Sequence, residues 1–245
     1  MATIMSRAGG DAGATAISVA SPREAAAAKR ETRKAMSLAW EEMWRQIYTP
    51  LLQSEGKQPQ IIAVSSALDG EGKTTVALGL ALAMAKDLEK SVLLLDCNLL
   101  RPGLSEALGI KEALGLTNFL AGEISLEAAT RRTRLDNLWI VPAGLPAGNA
   151  SRLVRSSSMV ELAQSLRAKH DIIVMDTPSM LSSSDARMLI SHSDDVLFVV
   201  RVGLSTTKSL AKAISLVRGA HNRGIVVNDF RSAVPKFLRR FLLSV

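Results

Sequence analysis

Residues 61–75 read IIAVSSALDGEGKTT, a short apolar run followed by a glycine-containing loop and the start of a helix-like segment. The apolar run predicts a buried strand, and the loop predicts a turn that directs consecutive backbone N–H groups toward an anion. A helix beginning at Lys73 would add its unpaired N–H groups and the positive end of its dipole. Gly70 and Gly72 stand where a Cβ would block the anion or the turn.

The same loop is close to the pattern G-x-x-x-x-G-K-[ST] of nucleotide phosphate sites. In that pattern the lysine reaches the β- and γ-phosphates of ATP and the next hydroxyl ligates Mg²⁺. The chain departs from it at Ala67, where the strict pattern has glycine. A strand before the loop and a helix after it favour a phosphate site over an unrelated glycine turn. The predicted nucleotide-binding residues of the loop are Asp69, Gly70, Glu71, Gly72, Lys73, Thr74 and Thr75.

The rest of the chain alternates apolar runs with helix-length segments. The runs are 61–66, 91–96, 138–143, 171–176, 195–200 and 224–228, and the segments between them include 73–88, 156–169, 184–192 and 206–218. Continuous apolar strands alternating with helices predict a parallel sheet covered on both faces. With the phosphate loop, they predict an α/β, three-layer P-loop NTPase fold with a mostly parallel central sheet. Right-handed crossovers would place the carboxyl ends of the strands along one edge.

Two aspartates stand at predicted strand ends and would lie on that edge. Asp96 ends the run SVLLLD, and Asp176 ends the run DIIVMD. A carboxylate there can hold Mg²⁺ or deprotonate an attacking hydroxyl, whereas the alternative is an N-cap for the following helix. Lys73, Asp96 and Asp176 are the candidate catalytic residues, and Thr74, Asp96 and Asp176 the candidate Mg²⁺ ligands.

Composition changes along the chain suggest three parts. Residues 1–35 are rich in Ala, Gly and Ser and are predicted to be a flexible leader. Apolar residues at helical spacing predict a helix over 36–53, stopped by Pro50. This helix opens an ATP-binding domain over 36–230, followed by a tail at 231–245.

The net charge of +7 is concentrated in residues 23–34 and 231–240. No helix-turn-helix, zinc-finger or aromatic-interleaved RNA motif accompanies this charge, so nucleic acid is not an expected partner. The single cysteine, Cys97, cannot form an intrachain disulfide, which favours a reducing compartment. The longest apolar run, 76–85, is too short to span a bilayer, and no secretory signal is evident. We therefore expect a cytoplasmic protein.

Five segments, in order along the chain, resemble one family. They are DGEGKTT, VLLLDCNLLRP, VPAGLPAGNASRLVRSS, HDIIVMDTPSMLSSSDA and GIVVN. They are similar to the bacterial tyrosine kinases of polysaccharide export, of the CpsD/CapB type, which are relatives of MinD and ParA. The resemblance implies ATP bound at residues 70–75, Mg²⁺ near Thr74, and carboxylate roles for Asp96 and Asp176. It also implies an adenine contact for Asn228, which is otherwise interpreted as a turn residue.

The resemblance extends to partners. Glu42, Arg45 and Tyr48 are similar to the family's E-x-x-R-x-x-R oligomerisation motif, with Tyr48 in place of the second arginine. Glu42 and Arg45 are thus candidate contacts in a homo-oligomer, or else a surface ion pair. Relatives are activated by a membrane-embedded chain-length protein, a polysaccharide co-polymerase, which implies a location at the inner face of the membrane through that partner.

Two departures from the family bear on activity. Relatives read D-x-D-x-R-x-P after the second strand, and here Asn98 and Leu100 replace the second carboxylate and the cation, with Arg101 in the adjacent position. Asn98 cannot act as a base, and one lost charged contact can cost orders of magnitude in phosphoryl transfer. The tyrosine-rich tail is also missing, because Tyr48 is the only tyrosine.

Three functions remain open from the sequence. The first is an ATP-dependent tyrosine-kinase-like phosphotransferase or ATPase acting on another protein. The second is a catalytically weakened, ATP-dependent regulator of a membrane export protein. The third, a MinD/ParA-like ATPase, is disfavoured because Leu68 occupies the position of their extra lysine. The basic amphipathic end at 235–245 is interpreted as a membrane or partner contact, or as a helix packed on the core.

Overall fold

A computed structural model of the protein describes residues 38–52, 60–110, 114–145 and 148–228. Residues 1–40 and 41–245 are separate compact units, and only 38–40 of the first are described. The predicted leader at 1–35 and tail at 231–245 lie outside the described residues.

Within these residues, seven strands form one sheet in the order β3-β4-β2-β5-β1-β6-β7. Every neighbouring pair is parallel except β3 with β4. The strands are β1 (Gln60–Ser66), β2 (Val92–Asp96), β3 (Arg131–Arg132), β4 (Leu138–Val141), β5 (Ile172–Asp176), β6 (Asp195–Arg201) and β7 (His221–Asn228). The predicted α/β fold with a mostly parallel sheet is confirmed.

Helices fill the connections between the strands. The first, α1, covers 38–52. The others are α2 (Lys73–Asp87), α3 (Leu104–Leu108), α4 (Leu116–Leu120), α5 (Leu126–Ala129), α6 (Ala150–Val154), α7 (Ser157–Lys169), α8 (Ser184–Ile190) and α9 (Thr207–Ser215). The four longer segments predicted between strands correspond to α2, α7, α8 and α9. No described helix is long and apolar enough to cross a membrane.

The order of the strands places the helices on both faces of the sheet. The chain moves one way along the sheet from β1 to β2, and the opposite way from β5 to β6 and from β6 to β7. Because parallel crossovers are right-handed, opposite directions put α2 on one face and α8 and α9 on the other. The reversal lies at β1 and β5, so the loop after β1 opens at the point where α/β sheets bind ligands.

The sheet buries side chains on both faces, as its continuous apolar runs predict. Alternate residues of the central strands, such as Ile61, Leu93 and Ile173, share one apolar cluster with Leu166 of α7 and Ile190 of α8. Every residue of β1, β2 and β5 is buried. The polar residues at the carboxyl ends of these strands therefore stand on a rigid base.

Helix α2 is buried between the sheet and α1. It contacts β1, β2 and β5, and Trp44 of α1 lies against Gly79. Residues 76–85 are buried, which explains why this helix is apolar all round and rich in small residues.

We expect Gly79→Ala to destabilise the protein by about 1–3 kcal/mol through overpacking. The better helix propensity of alanine offsets part of this loss. A Cβ at Gly79 would lie 2.0 Å from a ring carbon of Trp44. Denaturant unfolding would measure the loss. In a Trp44→Ala background the same change should become neutral or stabilising, and an equal loss in both backgrounds would contradict the packing explanation.

Two details of the predicted first helix were wrong. Pro50 does not stop α1, which continues to residue 52 and buries Leu51. Gln60 donates a hydrogen bond to the carbonyl of Leu51, so the last turn is held by the sheet. An apolar side of this helix was expected to be buried, but the apolar Met43 is exposed, whereas Tyr48 is buried.

The last strand was predicted as a short buried run at 224–228, but β7 is longer and lies at the edge of the sheet. Its Ile225 and Val227 are exposed, Val227 to 66%. Its carboxyl end nevertheless reaches the same edge as the phosphate loop, because β7 pairs in parallel with β6.

Candidate functional site

The loop between β1 and α2 has the backbone shape that its glycines predict. Gly70 and Gly72 have positive φ angles of 79° and 95°, and Gly72 is the N-cap of α2. Such left-handed positions are favourable only for glycine, and they let successive amides converge on one side of the loop. The loop thus ends at a helix N-terminus, as an anion site requires.

A buried ammonium group stands at the beginning of α2. Lys73 is only 7% exposed. Burial lowers the pKa of Lys73, while the carboxylates of Asp176, Asp69 and Glu71 oppose that shift. The Lys73 side chain therefore lies near three carboxylates at the end of the loop.

Asp96 and Asp176 are brought together by the register of β2 and β5, in which they are direct partners. Both are buried, and burial raises the pKa of each. The Asp176 carboxylate further raises the pKa of Asp96, because two negative charges share a space that excludes water. Lys73 and the hydroxyl of Thr74 act against the shift at Asp176.

The two carboxylates differ in their partners. Asp96 accepts hydrogen bonds from the amides of Asn98 at 3.0 Å and of Leu104 at 3.1 Å. The second bond holds the first residue of α3, so the N-cap alternative is in part realised. Neither carboxylate oxygen of Asp176 accepts a hydrogen bond of ordinary geometry from the described residues, although the residue is only 1% exposed.

An unsatisfied buried carboxylate fits a divalent cation. Mg²⁺ binds carboxylate and hydroxyl oxygens and keeps several waters. Within the described part of the chain, the two oxygens of Asp176 accept no hydrogen bond of ordinary geometry, and Asp96 and the Thr74 hydroxyl lie close enough to influence its pKa or be influenced by it. Gly103 packs beside Thr74, since a Cβ there would lie 2.9 Å from the Thr74 Oγ1. The sequence reasoning missed Gly103, because no local pattern links it to the phosphate loop.

Asp69 does not extend freely into the site. Its carboxylate accepts a hydrogen bond from Ser179 and forms an ion pair with Arg101, with 2.9 Å between Oδ2 and Nη1. Arg101, next to the position where relatives have their cation, thus reaches the phosphate loop. Arg101 is 78% exposed at its side chain, so the pair is weak and can be exchanged for another anion.

Glu71 turns its side chain into the protein and away from the solvent. It is fully buried, and its carboxylate accepts hydrogen bonds from the amide of Leu68 at 2.6 Å and from the hydroxyl of Ser205. Its carboxylate thus braces the loop from within. Ser205 lies between β6 and α9. It was not predicted from the sequence, because no motif marks this position.

The predicted site residue Asn228 lies against the phosphate loop. Its side-chain amide donates to the carbonyl of Glu71 at 2.9 Å, and Arg201 of β6 donates to the carbonyl of Gly70 at 3.2 Å. Thr75 follows Thr74 in the first turn of α2. The adenine contact of Asn228 stays a prediction.

Gly72→Ala is expected to damage the loop for two separate reasons. The residue has a φ of 95°, and a Cβ would lie 2.1 Å from the Asn228 side-chain nitrogen. We expect a loss of about 1–3 kcal/mol in unfolding free energy, since both strain and overlap arise. Thermal unfolding measures it, with Gly109→Ala (φ of 73°, nothing within 4 Å of an added Cβ) as the control for strain alone. Equal losses in the two variants would contradict a role for the Asn228 contact.

The candidate oligomer contacts are engaged within the chain. Arg45 pairs with Glu42 at 3.0 Å and with Asp87 of α2 at 3.1 Å. The Tyr48 hydroxyl donates to Asp87 at 2.7 Å, and Tyr48 is 4% exposed. The surface ion pair anticipated from the sequence is therefore present, and the assembly role of Glu42 and Arg45 stays a prediction.

Comparison with known proteins identifies the family. A family model described as an AAA domain matches residues 59–227. The tyrosine-protein kinase YwqD of Bacillus subtilis (strain 168) is 32% identical over 173 residues, which cover 70% of this chain and 73% of that protein. The chain belongs to the bacterial tyrosine-protein kinases.

Solved structures agree with this membership. The kinase domain of VpsO is 31% identical, and the match covers 82% of this chain and 98% of that domain with a TM-score of 0.73. MinD of Pyrococcus horikoshii, solved as a complex with Mg-ADP, is 26% identical with a TM-score of 0.61, covering 74% of this chain and 78% of that one. The resemblance to the tyrosine kinases and to MinD, made from five short segments, is confirmed.

Proposed function

We propose that this kinase-family chain binds Mg-ATP at residues 69–75 and transfers phosphate to a tyrosine of another protein. The observation that carries the proposal is the buried carboxylate of Asp176, which lies beside Lys73 and Thr74 and accepts no hydrogen bond of ordinary geometry from the described residues. Buried structural carboxylates accept hydrogen bonds, whereas a carboxylate that ligates Mg²⁺ uses its oxygens for the metal.

The residues of the site have separate roles in this proposal. The loop amides and Lys73 bind the terminal phosphates, and Thr74 and Asp176 hold Mg²⁺ with Asp96 nearby. Mg²⁺ neutralises phosphate charge when it is bound. Burial raises the pKa of Asp96, and a raised pKa makes its carboxylate a stronger base toward the proton of an attacking hydroxyl.

The acceptor is proposed to lie on another protein. Tyr48 is the only tyrosine of the chain, and its buried hydroxyl is bonded to Asp87. A phosphoacceptor has to reach the edge of the sheet where the phosphate loop lies, and Tyr48 is held on α1 against the last turn of α2, far along the helix from Lys73.

A second candidate function, an ATP-dependent regulator without turnover, is favoured by one observation. Asn98 stands where relatives have a carboxylate, and only its backbone N–H is seen to donate to Asp96. An assay with Mg-ATP and a glutamate–tyrosine copolymer as acceptor separates the two. The kinase proposal expects labelled tyrosine with the native chain and none with Lys73→Ala. Binding without turnover in the native chain, together with activity gained by Asn98→Asp, would favour the regulator.

The partners and location belong to the same proposal. By its resemblance to the polysaccharide-export kinases, the chain would act in the cytoplasm on a membrane-embedded chain-length protein and regulate polysaccharide polymerisation or export. Glu42 and Arg45 would contribute to a homo-oligomer, and residues 235–245 to a membrane or partner contact. Recovery of such a protein from membranes by the full chain, but not by a chain lacking residues 235–245, would support the tail's role. Equal recovery by the two chains would contradict a role for residues 235–245.

A further inference from the structure

The outer side of the phosphate loop is held by the last residues of two neighbouring strands. Arg201 ends β6, Asn228 ends β7, and the two are direct partners in the register of these strands. Arg201 donates to the carbonyl of Gly70 at 3.2 Å, and Asn228 donates to the carbonyl of Glu71 at 2.9 Å. Two adjacent strand ends thus bind two consecutive carbonyl groups of the loop.

Binding a carbonyl group also fixes the amide that follows it. The peptide unit is planar and trans, so its C=O and N–H point in opposite directions. With the Gly70 carbonyl held toward Arg201, the N–H of Glu71 is directed away from β6. With the Glu71 carbonyl held toward Asn228, the N–H of Gly72 is directed away from β7. Both amides therefore point to the inner side of the loop, where an anion would bind.

We infer that Arg201 and Asn228 are positioning residues, which orient the amides of Glu71 and Gly72 for phosphate. This inference rests on the proposed nucleotide binding and deepens it, because it assigns the side-chain NH2 group of Asn228 to the phosphate loop. A loop with free carbonyls could rotate these peptide units and present oxygen atoms to the phosphates. Preorganised amides avoid that cost when the ligand binds.

Two further contacts connect the phosphate loop to β6 and β7. A Cβ on residue 72 would lie 2.1 Å from the side-chain nitrogen of Asn228, so only glycine permits the contact. The hydroxyl of Ser205 donates to the buried carboxylate of Glu71 and accepts from the amide of Arg201 at 3.1 Å. The loop is therefore held to β6 and β7 through a side chain as well as through two carbonyls.

The test compares ATP with tripolyphosphate, which has the phosphates but no base. Affinities of both ligands, with Mg²⁺, are measured by calorimetry for the native chain, Asn228→Ala and Arg201→Ala. Asn222→Ala and Arg218→Ala serve as matched controls, because both residues are exposed in the same part of the chain. We expect each test variant to bind both ligands about tenfold more weakly, by the same factor, and the controls to be unchanged.

The outcomes separate this inference from the proposed function. If Asn228→Ala weakens ATP but leaves tripolyphosphate unchanged, Asn228 contacts the base and the inference is overturned. If the native chain binds neither ligand, the proposed function fails. In that case the inference is still tested by NMR, through the amide resonance of Gly72 in nucleotide-free protein with isotope-labelled glycine. Asn228→Ala should shift or broaden that resonance while Asn222→Ala does not, and an unchanged resonance would overturn it.

Discussion

Lys73→Ala is expected to weaken ATP binding by at least about a hundredfold. Truncating one member of a buried, charge-assisted pair costs about 2–5 kcal/mol, and each 1.4 kcal/mol is a factor of ten. The ammonium group is buried at the start of α2. Equilibrium titration of the native and variant chains with Mg-ATP measures the effect.

The control for this variant is Lys212→Ala, which removes the same charge from the exposed side of α9. The loss should be larger for ATP than for AMP, which lacks the β- and γ-phosphates that Lys73 is predicted to contact. Circular dichroism of the variant should remain native, because Lys73→Ala removes an ammonium that is costly to bury. Equal losses for ATP and AMP would mean that the variant has damaged the fold and not one phosphate contact.

Asp176→Asn is expected to stabilise the nucleotide-free protein while it removes the benefit of Mg²⁺. The side chain keeps its shape, and no hydrogen bond of ordinary geometry to the carboxylate is lost among the described residues. The buried negative charge is removed, and the repulsion of Asp96 with it. Mg-ATP should raise the melting temperature of the native chain by several degrees and that of the variant by much less.

The stabilisation should depend on pH in a defined direction. Burial raises the pKa of Asp176 to about 6, above the value of about 3.9 in an unfolded chain. The folded protein therefore binds this proton more tightly, and native stability is lost as pH rises from about 4 to about 6. Above that window the free energy of unfolding of the variant should exceed that of the native chain by up to about 3 kcal/mol. Near pH 4 this difference should vanish.

Denaturant unfolding at several pH values measures this difference, and Asp136→Asn is the matched control. Asp136 is exposed before the amino-terminal end of β4, at the edge of the sheet opposite the phosphate loop. Its replacement should leave the pH dependence of the native chain unchanged. A variant Asp176→Asn that is less stable than native at neutral pH would show that the carboxylate is structurally satisfied, and would remove the argument for a metal.

The sequence predicted the sheet and the two buried aspartates because both depend on short segments. Runs such as VLLLD are long enough to identify a buried strand, and a parallel sheet then places the last residue of each run on one edge. Asp96 and Asp176 could be assigned to the same site for this reason. The four- and five-residue helices α3 to α6 could not be predicted, since they are too short to show a helical period.

The contacts around the loop could not be predicted because they join distant parts of the chain. Glu71 and Ser205 are 134 positions apart, and Arg101 and Asp69 are paired only because β1 and β2 flank β5. The exposed β7 was mistaken for a buried strand because an apolar run does not reveal that it will lie at an edge. Motifs thus identified the glycine loop, whereas the contacts that brace this loop depend on strand order.

The most direct test of the account is a crystal structure of the chain with Mg²⁺ and a non-hydrolysable ATP analogue. The terminal phosphates should lie on the amides of residues 70–75 and on the ammonium of Lys73. The carboxylate of Asp176 should have gained the metal or one of its waters as a partner. A nucleotide bound elsewhere, or an Asp176 that still lacks any partner while the nucleotide is bound, would contradict the account.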